Sequence, residues 1–421
     1  MKTNQLKKTI HPGWQEIKLA NIFEFKNGLN KEKGFFGHGT PIVNYMDVNG
    51  GGGLYFENIV GKVEVNKSEL DRFDVRKGDV FFTRTSETLD EIGFSAVALD
   101  DFKNTVFSGF VLRARPKGKL LMPSYAQYCF RTQNARQEIK EKSSYTTRAL
   151  TSGSLLNHVN LLLPPLPEQM RIVLVLETWD KSIAKLSQKI QVKKQVKKGL
   201  MQNLLTGKKR FSAFTEKWKL IEIGNLCDIK RGGSPRPIQD YMTEDMEGLN
   251  WLKIGDVPRG SRYIYKTSGR IKKEGLNKTT VVNEGDFILS NSMSFGRPYI
   301  MKTKACIHDG WLALKDISKD VNKDFLYYLL SSEMVQAKFR SISAGSGVLN
   351  LKKETVAEVV LRIPSLLEQN QIAQLLTATD DEIDKLELKL NILESQKRYL
   401  LNNLTTGTIR TPETLSAKIT A

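Results

Sequence analysis

The chain has 421 residues, 40% of them hydrophobic, which is enough for two or three domains with their own cores. It contains no apolar run that fits a signal peptide or a membrane span, so we expect a cytoplasmic protein with no membrane partner. Its net charge of +18 indicates a polyanionic partner, nucleic acid first, although a generally basic protein would show the same excess.

The first part of the chain is predicted to be a compact α/β unit. It begins with GWQEIKLANIFEFKNG (13–28), and a strand follows in VRKGDVFFTRTS (75–86). The polar loop after this strand carries Arg84, Thr85 and Ser86. Guanidinium and hydroxyl groups on such a loop suit contacts with base edges and phosphates, although a polar hairpin with no DNA contact fits equally well.

The pattern then changes from strand to helix. HVNLLLP (158–164) predicts a strand that ends at proline, and Pro167 and Glu168 suit the first turn of a helix. Gly207 marks the end of that helix, which would be about 55 Å long. Apolar residues alternate in steps of four and three, as in a coiled-coil seam. They are Ile172, Leu176, Trp179, Ile183, Leu186 and Ile190.

The second part of the chain repeats this order. Of the 48 positions from 163 to 210, 18 are identical 200 residues later. KWKLIEIGNLCDIKRG (217–232) and VNEGDFILSNSM (282–293) resemble the corresponding stretches of the first part more faintly. Ser365 and Glu368 predict a capping box at the start of the second helix, and Gly407 predicts its end. The chain is therefore interpreted as a tandem duplication.

Two helices with matching seams are expected to pack on each other. Residues 181–210 contain ten Lys or Arg and no acid, whereas residues 381–410 contain five charges of each sign, so the pair is electrostatically complementary. A solvated basic face is the alternative for the lysine run. The residues predicted to pair the helices or bind partners are Glu168, Gln169, Ile172, Leu176, Ile183, Leu186, Glu368, Gln369, Ile372, Leu376, Ile383 and Leu386.

Other polar and basic loops supply further candidates for DNA contacts. Lysines suit phosphates, whereas arginine and amide side chains can distinguish bases. The candidates in the first half are Lys26, Lys31, Arg84, Thr85, Ser86, Tyr145 and Arg148. Those in the second half are Lys230, Arg231, Arg236, Arg259, Arg262, Asn291, Ser292 and Arg297.

Catalytic signatures are scarce. SAGSGVLN (343–350) lacks the third glycine of a dinucleotide fingerprint, and TGKK (206–209) lacks the upstream glycine of a phosphate loop. The sequence has no Asn-Pro-Pro-aromatic tetrad, and its cysteines and histidines do not have metal-ligand spacing. We therefore predict no catalytic residue, metal or bound cofactor in this chain.

The two proline-led Glu-Gln motifs, the helices ending in LLTGKKR and LTTGTIR, and the tryptophan-initiated halves resemble the specificity (S) subunit of type I restriction–modification systems. The resemblance covers roughly residues 11–410. It implies a target-recognition domain at 1–157, a central conserved region at 158–210, a second target-recognition domain at 211–356 and a C-terminal conserved region at 357–421. The expected fold is α/β (α+β), a pseudo-two-fold tandem repeat whose two globular domains are separated by a pair of long antiparallel coiled-coil helices.

The same resemblance implies the function. Each domain would read one half-site of a bipartite, asymmetric double-stranded DNA target, and the helices would set the spacer. Two methyltransferase subunits using S-adenosylmethionine, and restriction subunits using ATP, would be the partners, and this chain would catalyse nothing. The alternatives are a stand-alone coiled-coil DNA-binding scaffold or repressor, and an autonomous DNA methyltransferase or nuclease with atypical motifs.

Overall fold

The computed structural model describes residues 11–257, 260–291, 296–344 and 351–415. These residues form two compact units. The first unit takes its residues from 1–186 and 389–421, and the second takes them from 187–388. Each unit therefore contains one globular half, the first part of the long helix that follows it, and the last part of the other long helix.

The first half of the chain supplies the elements up to the first long helix. Its strands are β1 Gln15–Lys18, β2 Phe23–Asn27, β3 Phe36–Val43, β4 Gly52–Leu54, β5 Lys62–Val63, β6 Val80–Thr83, β7 Thr85–Ser86, β8 Ser95–Ala98, β9 Val106–Phe107, β10 Val111–Pro116, β11 Ser144–Tyr145, β12 Ala149–Leu150 and β13 Asn160–Leu163. Its helices are α1 Leu19–Ile22, α2 Tyr45–Asn49, α3 Lys67–Arg72, α4 Pro123–Cys129, α5 Gln133–Lys142, α6 Gly153–Leu156 and α7 Leu166–Leu204.

The second half follows the same order with different loops. Its strands are β14 Lys219–Glu222, β15 Asp228–Arg231, β16 Met242–Thr243, β17 Leu249–Leu252, β18 Tyr263–Ile264, β19 Gly269–Ile271, β20 Thr280–Val282, β21 Phe287–Ser290, β22 Pro298–Met301, β23 Ala305–Ile307, β24 Trp311–Lys315 and β25 Val360–Ile363. Its helices are α8 Ile238–Tyr241, α9 Lys323–Ser331, α10 Glu333–Ala344, α11 Lys353–Ala357 and α12 Leu366–Thr405.

Each unit contains a five-stranded sheet of the same topology. The strand order is β2-β10-β6-β8-β4 in the first unit and β15-β24-β21-β22-β18 in the second. In both sheets the last pair is parallel and the other pairs are antiparallel. This agreement, strand by strand, confirms the tandem repeat that the sequence predicts from short matching stretches.

The remaining sheets differ more between the units. The first unit has the sheets β5-β3-β9 and β11-β12-β7, whereas the described residues of the second form the larger sheet β16-β19-β17-β23-β20. A two-stranded sheet is common to both, because β1 pairs with β13 and β14 pairs with β25. The start of each globular half is thus fixed to the strand that precedes its long helix.

The shared Gly-Asp dipeptides form tight turns. Gly78 and Gly285 have φ values of +91° and +86°, a left-handed conformation that favours glycine. The Asp79 carboxylate accepts a hydrogen bond from a backbone N–H three residues earlier at 2.7 Å, and Asp286 does the same at 2.8 Å. These turns set the starts of β6 and β21.

The long helices α7 and α12 confirm the predicted change from strand to helix. Gly207 and Gly407, with φ of +72° and +76°, follow their ends as expected. The 39 residues of α7 give a length of ~58 Å. The predicted capping box at Ser365 is wrong, because the Glu368 carboxylate instead accepts hydrogen bonds from side chains far away in the chain.

The first turns of the long helices lie in the cores of the units. Ile172 and Leu176 pack in the core of the first unit together with Leu404 from the end of α12. In the second unit, Ile372 and Leu376 pack with Leu204 from the end of α7. Burying one such side chain contributes about 1.5–3 kcal/mol. Of the other predicted seam residues, Ile190 and Ile383 are buried, and Trp179, Ile183, Leu186 and Leu386 are partly buried.

The paired helix segments run in opposite directions within each unit. In the first unit Asp180 forms an ion pair with Lys397, and Glu168, earlier on its helix, contacts the later Arg410. In the second unit Lys193 binds Glu382 at 2.7 Å, Lys194 binds Glu387 at 2.6 Å, and Lys197 binds Asp380. The basic run of α7 thus meets the acidic residues of α12 there. Among the described residues, no helix combines the length and apolarity needed to cross a bilayer.

Candidate nucleic-acid interface

The glutamate of the repeated Glu-Gln motif is the centre of a buried cluster. In the first unit, Trp14 Nε1 donates a hydrogen bond to Glu168 Oε2 at 2.8 Å. Arg410 Nη2 donates to the same oxygen at 2.9 Å, and Arg410 Nε donates to Oε1. The charge of the buried carboxylate is therefore neutralised by a bidentate arginine from the segment that follows α12.

The second unit contains the same cluster. Trp218 Nε1 donates to Glu368 Oε2 at 3.1 Å, and Arg210 Nε and Nη2 donate to the two carboxylate oxygens at 2.9 and 2.7 Å. This hydrogen bonding to Glu368 raises the pKa of Arg210. We refer to the two sets, Trp14 with Glu168 and Arg410, and Trp218 with Glu368 and Arg210, as the Trp–Glu–Arg clusters.

The glutamine of the motif fixes a loop to the start of the helix. Gln169 Oε1 accepts a hydrogen bond from Met122 N at 2.9 Å, and its Nε2 donates to Leu120 O at 2.8 Å. Gln369 makes the equivalent bonds with Asn322 N at 2.9 Å and Asp320 O at 3.1 Å. The repeated motif is thus explained by identical structural bonds in both units.

A second duplicated cluster lies further along each helix. Tyr128 and Tyr328 donate their hydroxyl protons to Asp180 and Asp380, both at 2.7 Å. Each aspartate also forms an ion pair with a lysine of the opposing helix, whose ammonium lies 5.6 Å from the tyrosine ring centroid. Burial raises the pKa of both tyrosines, and the hydrogen bond to aspartate raises it further. We call these the Tyr–Asp–Lys clusters.

A tight turn in each unit is held by one set of backbone bonds. Residues 108–110 connect β9 to β10, and residues 308–310 connect β23 to β24, and we call both the tip turns. Val111 N donates to the carbonyl of the first residue of its turn at 3.0 Å, and Trp311 N does so at 3.1 Å. The two turns are therefore closed by the same backbone hydrogen bond.

Glycine is required beside each tip turn. A Cβ atom on Gly28 would lie 2.2 Å from Ser108 O, and one on Gly232 would lie 2.0 Å from His308 O. Only glycine permits this close approach of two backbones. The glycines that end FKNG and IKRG are thus shared because they support the tip turns.

Arg84 and Asn291 occupy equivalent positions against the tip turns. Arg84 Nη1 donates to Gly109 O at 2.9 Å, and Asn291 Nδ2 donates to Asp309 O at 2.7 Å. Their backbone N–H groups donate to the third residue of each turn, at 3.3 and 3.0 Å. Both residues, predicted from the sequence to contact DNA, use their side chains to position a turn.

A small sheet of the first unit brings two predicted DNA-contacting loops together. In β11-β12-β7, Thr85 pairs with Leu150, and the next residue, Ser86, is bonded through its hydroxyl to Glu91 at 3.1 Å. Tyr145 lies on β11, and Arg148 lies in the turn between β11 and β12. Arg148 is exposed and has no side-chain hydrogen bond or ion pair within the described part of the chain. It is therefore available to a ligand.

The two lysines predicted to contact DNA in the first unit are engaged within the protein. Lys26 Nζ donates to Arg72 O at 2.6 Å, and burial and the nearby Arg113 lower its pKa. Lys31 forms an ion pair with Glu69 at 2.7 Å. Either lysine would have to exchange an internal contact to bind a phosphate.

In the second unit the predicted basic loop meets the tip turn. Arg236 is largely exposed and lies 3.6 Å from Asp309, which also accepts a hydrogen bond from Ser234 Oγ at 2.7 Å. The bond from Ser234 lowers the pKa of Asp309. On β15, Lys230 forms an exposed ion pair with its neighbour Asp228, and Arg231 is exposed.

Two predicted DNA-contacting arginines of the second unit lie against aromatic rings. Arg262 has a side chain only 11% exposed, forms an ion pair with Asp324 and stacks over Tyr327 at 4.6 Å. Such a guanidinium is not available to a duplex, so we leave Arg262 out of the candidate interface. Arg297 is half-buried, and its guanidinium carbon lies 5.7 Å from the Tyr299 ring centroid.

Two further predicted residues, Arg259 and Ser292, lie outside the described residues. The cysteines are buried, and burial raises the pKa of Cys227 to about 12 and that of Cys306 to about 11, as expected for unreactive thiols. Within the ranges that the structure describes, no group of three or more His, Cys, Asp or Glu could hold a metal ion.

Sequence reasoning missed the partners of the repeated glutamates. Trp14, Trp218, Arg210 and Arg410 are identical between the two copies, and that identity was the signal. The identity of these residues marks the limits of the repeat, but it does not reveal that the tryptophans and arginines bind the repeated glutamates. The tip turns were also missed, since their role depends on contacts between distant strands.

The chain matches the family model described as type I restriction modification DNA specificity domain twice, over residues 12–195 and 215–394. It is 26% identical to a Methanocaldococcus jannaschii protein assigned as the specificity subunit of the type I restriction enzyme MjaX, over 97% of each chain. It is similar in fold to the type I restriction-modification S subunit from M. genitalium, with 16% identity, a TM-score of 0.54, and 96% and 98% of the two chains covered. A chain from a structure concerned with complex assembly and conformational transition of the type I R-M system gives 17% identity and a TM-score of 0.63, with 95% and 99% covered.

Proposed function

Since this chain belongs to the family of type I restriction-modification DNA specificity domains and carries two copies of that domain, we propose that it reads a bipartite, asymmetric DNA target with one half-site per unit. The observation that carries this proposal is that the two units share the same buried clusters but have different residues at their tip turns. The Trp–Glu–Arg clusters, the Tyr–Asp–Lys clusters and the backbone of the tip turns are the same in both units. The residues at the tip turns are Ser-Gly-Phe in one and His-Asp-Gly in the other.

The charges of the exposed loops support contact with a duplex. Arg148 in the first unit and Arg231 and Arg236 in the second are exposed, and the chain carries a net charge of +18. Exposed cations of this kind bind phosphates, and a bidentate guanidinium can also read guanine in the major groove. We therefore retain these three arginines, with Thr85, Tyr145, Lys230 and Arg297, as candidate DNA-contacting residues. Ser86 is buried and is left out, as Arg262 is.

The helices are proposed to set the spacer between the half-sites. Each unit uses the first part of one helix and the last part of the other, so both long helices contribute residues to both units. Along each helix the aspartate of one cluster and the lysine of the other are 17 residues apart, Asp180 and Lys197 on α7 and Asp380 and Lys397 on α12.

Two copies of one methyltransferase subunit are the proposed partners. A partner that binds twice needs a surface that is present twice, and exposed residues identical in both repeats supply it. Leu166 and Leu366 are each 41% exposed at the starts of the helices, and Lys185 and Lys385 are exposed further along. Restriction subunits would join the same complex.

The chain itself is proposed to be non-catalytic. S-adenosylmethionine and ATP would be bound by the methyltransferase and restriction subunits, and adenine methylation would appear only in their presence. A cytoplasmic location stays a prediction.

The test is a methylation map of a host expressing this chain together with its methyltransferase subunit. We expect two unlike half-sites separated by a fixed spacer, and no methylation with either subunit alone. Methyl transfer by the purified chain would support an autonomous enzyme instead. Sequence-specific DNA binding without any methylation in the presence of the partner would support a scaffold or repressor.

A further inference from the structure

Phe110 is a strongly exposed aromatic residue held on a well-fixed turn. It is the third residue of the tip turn of the first unit, and 67% of it is exposed. Gly109 N donates to Leu29 O at 2.7 Å, and Phe110 N donates to Ser108 Oγ at 3.3 Å. With the Arg84 side chain on the Gly109 carbonyl, these bonds fix the backbone from which the ring projects. An exposed ring on such a turn loses little further backbone entropy when it binds.

The backbone connects Phe110 to the small sheet that carries the other candidate residues. Arg84 N donates to Phe110 O at 3.3 Å, and Arg84 O accepts from Thr151 N at 2.9 Å. The neighbour of Thr151 is Leu150, which is 41% exposed, and Tyr145 on the adjacent strand is 55% exposed. Single exposed apolar residues are ordinary, but three of them on segments connected by backbone hydrogen bonds suit a contact surface.

The repeat itself distinguishes DNA from a protein partner as the occupant. The second unit has Gly310 where the first has Phe110, although the turn backbone is held in the same way. A partner that docks twice would meet the same residue on each unit. The two half-sites of an asymmetric target differ, so a residue that is present on just one tip turn is expected to contact DNA rather than a partner that docks twice.

We propose that the Phe110 ring contacts a base of the first half-site and contributes to its recognition. This rests on the proposed function, because it assigns Phe110 to the half-site read by the first unit. A phenylalanine ring can pack on the thymine methyl group in the major groove, or it can wedge into a base step. The common chemistry is apolar contact between the ring and a base.

The experiment uses the complex of the full chain with its methyltransferase subunits, and duplexes with the complete target, a scrambled first half-site or a scrambled second half-site. Phe110→Ala is expected to weaken binding to the complete target by roughly 10- to 100-fold. It should reduce the penalty for scrambling the first half-site and leave the penalty for the second unchanged. Phe36→Ala, at an exposed phenylalanine on β3, is the matched control and should change neither.

Modified duplexes distinguish the two kinds of base contact. If the ring contacts the thymine methyl group, replacing thymine with uracil in the first half-site should weaken DNA binding by the wild-type complex and leave the affinity of the Phe110→Ala complex unchanged. A rise in 2-aminopurine fluorescence with wild type only would indicate a wedge. If neither signal depends on Phe110, the base contact is overturned.

The affinity measurements also separate this inference from the proposed function. Unchanged affinity of Phe110→Ala, or equal loss at both half-sites, overturns the assignment of Phe110 while the bipartite target stands. A wild-type complex that ignores scrambling of either half-site overturns the proposed function itself. Because the ring is exposed, the thermal midpoint of Phe110→Ala should match that of wild type.

Discussion

Arg410 donates two hydrogen bonds to the carboxylate of Glu168, a residue 242 positions earlier in the chain. Arg210 and Glu368 form the same pair in the second unit at a separation of 158. Each copy of the repeated segment, 163–210 or 363–410, therefore begins in one unit and ends in the other, where its final arginine neutralises the buried glutamate.

Removing Arg410 should destabilise the first unit. In Arg410→Ala the carboxylate of Glu168 would stay buried without its cation, which should lower the free energy of unfolding by about 2–4 kcal/mol. The loss is smaller than for a fully buried pair because the arginine is partly exposed. Urea unfolding of the full chain measures this. Arg398→Ala, at an exposed arginine of the same helix, should change stability by less than about 0.5 kcal/mol. Equal stability of the two variants would contradict the proposed importance of the pair.

The two Tyr–Asp–Lys clusters should respond alike. Tyr128→Phe and Tyr328→Phe each remove the hydrogen bond to a carboxylate and keep the ring, so each should cost about 1–3 kcal/mol. Tyr328→Phe also removes two longer contacts of the hydroxyl, with Arg262 and Thr377 at 3.4 Å, which add little. Tyr399→Phe, at an exposed tyrosine of α12, is the control. A loss confined to one of the two variants would show that the clusters are not equivalent in energy.

Acid should weaken the second unit through His308. Burial lowers the pKa of His308, and its Nδ1 accepts a hydrogen bond from Gly310 N at 2.8 Å, which requires an unprotonated Nδ1. Because the folded-state pKa is depressed, this contribution to stability is present above about pH 6.5 and is lost as pH falls through the folded-state value. His308→Gln should flatten the dependence of the unfolding midpoint on pH, whereas His158→Gln, at an exposed histidine, should not.

Arg148 and Arg236 should act on different half-sites. Arg148→Ala should relax discrimination at the first half-site by roughly tenfold, and Arg236→Ala should do so at the second. Lysine variants keep the charge and lose the bidentate geometry. We expect them to retain the salt dependence of binding while losing discrimination, as measured by competition between scrambled duplexes. Loss at both half-sites from one substitution would argue against reading by separate units.

Shortening both helices should change the spacer and leave the half-sites intact. Removing seven residues from each helix, 184–190 and 384–390, keeps the heptad register and shortens each by ~10 Å, or about three base pairs. Methylation mapping should report the same half-sites at a shorter spacing. Removing the segment from α7 alone should destabilise the chain. An unaltered spacer after the paired deletion would refute the role of the helices.

The long helices could be predicted from the sequence because their signals are local. Steps of three and four between apolar residues, and glycines such as Gly207 and Gly407, act within a few turns of the chain. The capping box at Ser365 failed because Glu368 finds a charged partner, Arg210, that no local pattern reveals.

The candidate interface was less predictable, because a polar residue on a loop looks the same whether it points to solvent or inward. Arg84 and Asn291 hold turns that are 25 and 18 residues away, and Arg262 is buried by tyrosines more than 60 residues away. The proposed role of Phe110 depends on the comparison of the two tip turns, because only the structure shows that Phe110 and Gly310 occupy equivalent positions.

The closure of the first unit by Arg410 has a consequence for the order of synthesis. The second unit draws its residues from 187–388, so the ribosome has made all of it before the helix segment that completes the first unit exists. The first unit therefore cannot complete its core until the end of α12, which carries Leu404, leaves the ribosome. Nascent chains of this protein should gain protease resistance in their later half first, the reverse of the usual order of domain maturation.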